Sequence, residues 1–110
     1  MELSEEILGF DDLRTKQVTV KEWGNKTLSI REPDLHQVLK SREMVVDGDV
    51  QLRALEIAQT VASSVIDEHG DRVFSDDQVP RLARKNRHAL MFLYNEILAL
   101  AGTLEDAEKN

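Results

Sequence analysis

The sequence predicts an α+β fold, mostly helical, with an N-terminal β-hairpin packed on about three α-helices. Three observations carry this. Apolar residues alternate with period two near the start, at Val18 and Val20 and again at Leu28 and Ile30, around Gly24 and Asn25. From residue 34 onward the apolar positions recur at helical spacing in three stretches. The chain has 110 residues, 41% hydrophobic and 32% charged, which suits one globular domain with one modest core.

Residues 1–15 read as an acidic N-terminal arm, either a short helix or a loosely docked segment, with Leu3, Ile7, Leu8, Phe10 and Leu13 as its apolar positions. Residues 16–102 form the single domain, and 103–110 a polar C-terminal tail. In "KQVTVKEWGNKTLSIR" the β-branched alternation gives two strands, and Gly24 and Asn25 supply the positive-φ residues of a tight turn. Two strands alone are marginal in water, so one face must lie on helices. Pro33 closes the hairpin. Asp34 then offers an N-cap with Gln37 as its capping-box partner, and Leu35, Val38, Leu39 and Val45 give an amphipathic helix ending near Gly48. Residues 50–66 read as one helix. Its polar arc holds Arg53, Glu56, Thr60, Ser63 and Ser64, with Asp67 beyond the end, and it buries more than half its circumference.

The last helix is predicted over residues 75–102. Ser75 and Gln78 make a capping box, Phe74 staples on Val79, and Gly102 ends it. Pro80 sits awkwardly inside this span, implying a later start or a kink. At about 100° per residue, Val79, Leu82, Ala83, Leu90, Leu93, Tyr94, Ile97, Leu98, Leu100 and Ala101 gather on one side. Arg81, Arg84, Lys85 and His88 gather opposite, in line with Phe92. One reading is a solvated face, with Asp77 paired to Arg81 and the other bases meeting the acidic arm. The other is a partner-binding stripe for an acidic amphipathic segment. Bases near a helix N-terminus oppose its dipole, so helix stability does not require them. Trp23, at the hairpin tip, is either a lid over the core or a further anchor.

The chemistry-bearing residues exclude more than they suggest. There is no cysteine, so disulfides and thiolate metal sites are ruled out. His36, His69 and His88 lack metal-ligand spacing, and no nucleotide-loop or nucleophile-elbow motif occurs. A calcium loop starting at Asp47 would need a glutamate where Ala58 stands. Asp67, Glu68 and Asp71 read as a solvated turn. No catalytic residue, cofactor or metal is expected. The net charge of −7 weighs against nucleic acid, although "RLARKNRH" resembles a recognition helix. No apolar run is long enough for a membrane span, and the acidic start is unlike a secretory signal.

Two segments, in this order and spacing, carry a resemblance. "VTVKEWGNKTLSIRE" resembles V-x-V-x-E-W-G-x-x-x-x-V-R. "VIDEHGDRVFSDDQVPRLARKN" resembles D-x-x-G-x-x-x-F-[ST]-x-x-x-[IVL]-x-x-L. Both patterns, and the ending "EDAEKN", are similar to the tail assembly chaperones of long, non-contractile-tailed phages, over residues 18–110. Lys21, where a proline often precedes E-W-G, and Pro80 depart from the pattern. The resemblance implies a non-enzymatic protein that binds the helical tape measure protein in the host bacterial cytoplasm and keeps it soluble. It also implies recruitment of tail tube protein, self-association into a homo-oligomer along a long client, and absence from the mature virion. A stoichiometric structural adaptor and a small DNA-binding regulator are the alternatives.

Overall fold

The computed structural model describes residues 2–44 and 48–102. In chain order it contains α1 (Leu3–Leu8), β1 (Thr15–Val20), β2 (Lys26–Arg31), α2 (Leu35–Met44), α3 (Val50–Ser64), β3 (Val65–Ile66), α4 (Val79–Leu82) and α5 (Arg87–Ala101). Short 3-10 turns at Lys21–Trp23 and Asp76–Gln78 join β1 to β2 and lead into α4.

The hairpin forms as its alternation dictates. β1 and β2 pair antiparallel from Thr15 opposite Arg31 to Val20 opposite Lys26. The 3-10 turn makes the reversal, with Gly24 and Asn25 at φ 67° and 56°. Val18, Val20 and Ile30 face inward and are buried. On the other face Thr19 and Thr27 join hydroxyls at 3.3 Å.

α5 lies across the inward face, with Ala89, Leu90, Leu93, Tyr94 and Ile97 buried. α3 packs beside it through Ala58, Val61 and Ala62, and α4 adds Val79 and Leu82. One apolar cluster therefore joins the sheet to α3, α4 and α5. Two polar ties fix the direction of β1 along α5. Lys16 Nζ meets Glu96 Oε2 at 2.7 Å, and Arg14 Nη2 donates to the Ala101 carbonyl at 3.3 Å. The strand starts at the end of α5 and runs back toward its beginning, so the turn carrying Trp23 also rests on α5.

α2 starts where the residues predict. Gln37 N donates to Asp34 Oδ1 at 2.8 Å and Asp34 N donates to Gln37 Oε1 at 2.9 Å. Its apolar stripe, however, does not seal it to the core. No α2 side chain is fully buried, and Leu35 and Leu39 are 74% and 50% exposed. Val45, expected in the same stripe, lies outside the described residues.

Three further expectations are corrected. Residues 50–66 are not one helix. The chain leaves α3 after Ser64, and Val65 and Ile66 pair with Ile30 and Ser29 as a third strand. Two adjacent β-branched residues favour extended backbone, and β2 would otherwise present an unpaired edge. Residues 75–102 are likewise not one helix, as described below. Leu98, placed in the core stripe, is 43% exposed. It lies at the edge of the buried face of α5 and walls an open cleft instead of filling the core. α1 is helical but buries no residue.

Candidate partner-binding surface

The basic segment folds as a bent corner. The 3-10 turn at Asp76–Gln78 is capped by the S-x-x-Q arrangement, Ser75 N donating to Gln78 Oε1 at 3.0 Å. Pro80 then falls in the first turn of α4, where its missing N–H has no helical partner to lose. α4 is only four residues long. Its end tightens as Arg84 N donates to Arg81 O and Lys85 N to Leu82 O. Asn86 is extended, with ψ 128°, and its side-chain oxygen accepts from His88 N at 2.8 Å and Ala89 N at 3.2 Å. A side-chain cap of this kind begins a new helix. The sequence carried that signal, since asparagine before "RHAL" is among the strongest N-caps.

This bend changes the geometry of the candidate residues. Arg81 sits on α4, Arg84 and Lys85 in the bend, and His88 and Phe92 on α5. The single row running from Arg81 through Lys85 to Phe92 does not exist, because it assumed an unbroken helix. His88 and Phe92 remain one turn apart on the exposed face of α5. Phe92 and its neighbour Met91 are each 37% exposed. Arg81, Arg84, Lys85, His88 and the unpredicted Arg87 are exposed as well. Trp23 is half-buried and packs on the core cluster.

Among the described residues, the bases at this corner take part in no ion pair. Ion pairs among the described residues join Arg14 to Glu32, Lys16 to Glu96, Arg53 to Glu56 and Arg72 to Asp76, and His69 Nε2 lies 3.5 Å from Glu68 Oε1. None involves residues 81–88. Asp77, the expected partner of Arg81, accepts instead from the Ser75 hydroxyl. Arg87 and His88 occupy the first turn of α5 with no acid to offset them, against the helix dipole. The result is a basic, partly apolar corner on an acidic molecule.

A second feature escaped the sequence reading. The polar arc of α3 faces α2 and Tyr94, with Arg53 at its solvent-exposed edge. Glu56 is 2% exposed, pairs with Arg53 Nη1 at 2.8 Å, and accepts from the Tyr94 hydroxyl at 3.1 Å and from Ser41. The Arg53 guanidinium also lies 5.5 Å from the Tyr94 ring centroid. These groups wall a cleft of about 590 Å³ between α2, α3 and the end of α5. Ser64 Oγ, also at its wall, is buried without a hydrogen-bond partner. The cleft's carboxylate, guanidinium and phenol are bonded to one another. No group of three or more potential metal ligands occurs among the described residues.

Burial and the nearby Glu56 charge both push the Tyr94 phenol above its usual value of 10.0. The folded state therefore favours the neutral phenol. That contribution to stability is complete below the unfolded pKa and is lost as pH rises through the raised folded one. Tyr94 is the single tyrosine, so ultraviolet titration reads it alone. Ionisation is expected above pH 10 in the folded protein and at a lower pH in Glu56→Gln. The same midpoint in both variants would contradict the contact.

Comparison with known proteins places the fold. The chain is similar to the solved structure of the bacteriophage HK97 tail assembly chaperone, with a TM-score of 0.71 and 21% sequence identity, covering 94% of this chain and 98% of that one. No curated protein matches it in sequence. The family model described as phage tail assembly chaperone matches residues 9–110, nearly the whole described domain and the segment beyond it. No helix among the described residues is long and apolar enough to cross a membrane. The chain belongs to the phage tail assembly chaperone family.

Proposed function

We propose that this protein binds helical segments of a phage tape measure protein in the host cytoplasm, keeps them soluble, helps recruit tail tube subunits, and leaves before the particle is complete. Family membership supports the chaperone role, which is non-enzymatic. The observation that carries the client-binding part is the α4–α5 corner. It combines exposed Arg81, Arg84, Lys85, Arg87 and His88, none in an ion pair among the described residues, with the exposed Phe92. An acidic amphipathic helix fits it. Its apolar side covers Phe92 and Met91, and its acids meet the bases. Trp23 supports the corner from the hairpin side. A long client offers many such segments, so several copies act on one client and contact one another. Neither nucleic acid nor membrane has a place in this reading.

The combined variant Arg81→Glu, Lys85→Glu, Phe92→Ala is the test. Loss of an aromatic anchor costs about 2 kcal/mol of binding, roughly thirtyfold in Kd. Reversed rim charges mainly slow association and change its salt dependence. Isothermal titration against a tape measure segment is expected to show this loss while the far-ultraviolet circular dichroism is unchanged. Wild-type affinity, or an unfolded variant, would overturn the assignment of this corner.

A further inference from the structure

The cleft between α2, α3 and the end of α5 is unevenly charged. Each acid on its wall is already engaged. Asp34 caps Gln37, Glu56 holds Arg53 and the Tyr94 hydroxyl, and Asp76 accepts from Arg72 and Gln59. The bond from Arg72, then that from Gln59, holds the Asp76 carboxyl below its usual range, and Lys40 adds a smaller share. Lys40 and Arg42, on the α2 wall, are exposed and take part in no ion pair among the described residues. The cleft therefore offers positive charge to an occupant.

It is also short of cover. Ser64 Oγ is buried at its wall with no hydrogen-bond partner. Leu98, 43% exposed, and Ala101 give it an apolar rim. α2 buries no side chain completely, so the core does not seal this wall. A volume of about 590 Å³ lies in the range of sites that enclose a ligand.

The chain supplies a chemical match at the cleft itself. α5 stops at Ala101, and Gly102 turns with φ 78°, both residues lining the cleft. The sequence continues through residues 103–110, which lie outside the described residues. There Leu104 is followed by three acids, Glu105, Asp106 and Glu108, against one base, Lys109. α2 packs on α3 and α3 on α5. At about 8–10 Å per packed pair, the α2 axis stands within about 20 Å of α5. Eight extended residues reach at most about 26 Å.

We infer that residues 103–110 fold back over their own cleft, Leu104 against Leu98 and the acids on Lys40 and Arg42, as a strap between α5 and α2. The strap fastens α2 from outside, where the core gives no apolar seal. The cleft lies at the opposite end of α5 from the α4–α5 corner, so this inference stands or falls separately from the client surface.

The chain has no cysteine, so a nitroxide carried by Ala107→Cys marks the tail alone. In the full chain it is expected to broaden the amide signals of Leu35–Met44 and leave those of Arg87–Phe92 sharp. At 1 M salt, where the screening length falls to about 3 Å, the broadening should weaken. Lys40→Glu with Arg42→Glu should abolish it and raise amide exchange over Leu35–Met44 about tenfold, with exchange in α3 unchanged. Adding Glu105→Lys and Asp106→Lys should restore both, which a merely destabilised α2 would not show. A mixture of isotope-labelled unmarked chain with marked unlabelled chain should show no broadening in α2. The inference is overturned if α2 stays sharp in the marked chain, or if its broadening survives Lys40→Glu with Arg42→Glu. Failure of the exchanged charges to restore it, or equal broadening in the mixture, which would put the tail on a second copy, also overturns it.

Discussion

Leu93→Ala is expected to cost about 3 kcal/mol of folding stability. Leu93 has no solvent exposure and sits on the face of α5 that meets both α3 and the sheet. Truncation removes buried apolar surface and leaves a hole that close-packed neighbours fill only in part. A domain of this size is stable by only about 5–15 kcal/mol, so the loss is a large share. It corresponds to a fall in melting temperature of roughly 12 °C or more. Thermal unfolding by circular dichroism measures it. A fall of only a degree or two would mean that α5 does not hold the sheet and α3 together as described.

Glu56→Ala should act through a different route, with a cost of about 2–3 kcal/mol. The substitution strips the partner from the buried Tyr94 hydroxyl, from Ser41 and from Arg53. Arg53 is half-exposed and regains water, so the full penalty of a broken buried ion pair does not apply. The local consequence is sharper than the global one. α2 buries no side chain completely, and its ties to α3 are polar, Ser41 to Glu56 and Gln37 Nε2 to Ser63 O at 3.4 Å. Losing the first should loosen α2. Amide exchange over Leu35–Met44 is expected to rise well beyond that of α3 and α5. Glu56→Leu, which leaves the same groups unpaired but fills the volume, should recover part of the stability and none of the α2 protection. Unchanged exchange in α2 would show that the carboxylate does not anchor it.

The parts of the fold legible in the residues are those decided locally. Val18, Val20 and Ile30 pointed inward by alternation alone, and Gly24 and Asn25 marked the turn through the φ they must adopt. Asp34 with Gln37 announced α2 because the capping box lies within one turn. What was not legible depends on distant neighbours or on competition between two local signals. Val65 and Ile66 continue a helical pattern, and their β-branched preference for extended backbone prevails because the edge of β2 is there to pair with. Glu56 lies in a polar arc that reads as solvated until α2 and Tyr94 cover it. Between Ala83 and Ala89 the apolar face lapses, with polar Asn86 and Arg87 where the 3.6 period calls for apolar residues, but the strong period on either side outweighed that gap and the cap signal of Asn86. Of the candidate site, the exposure of Arg81, Arg84, Lys85, His88 and Phe92 follows from the pattern on each side of the bend. Their placement around a corner, with Arg87 among them, follows from the bend itself.

The most direct measurement of the account is the soluble yield of a tape measure protein co-expressed with this chain, with the corner variant, or alone. The client should be largely insoluble alone, soluble with the wild-type chain and co-purified with it, and mostly insoluble again with Arg81→Glu, Lys85→Glu, Phe92→Ala. A client whose solubility is the same in all three conditions would contradict the claim that this protein works by lending its α4–α5 surface to another helix.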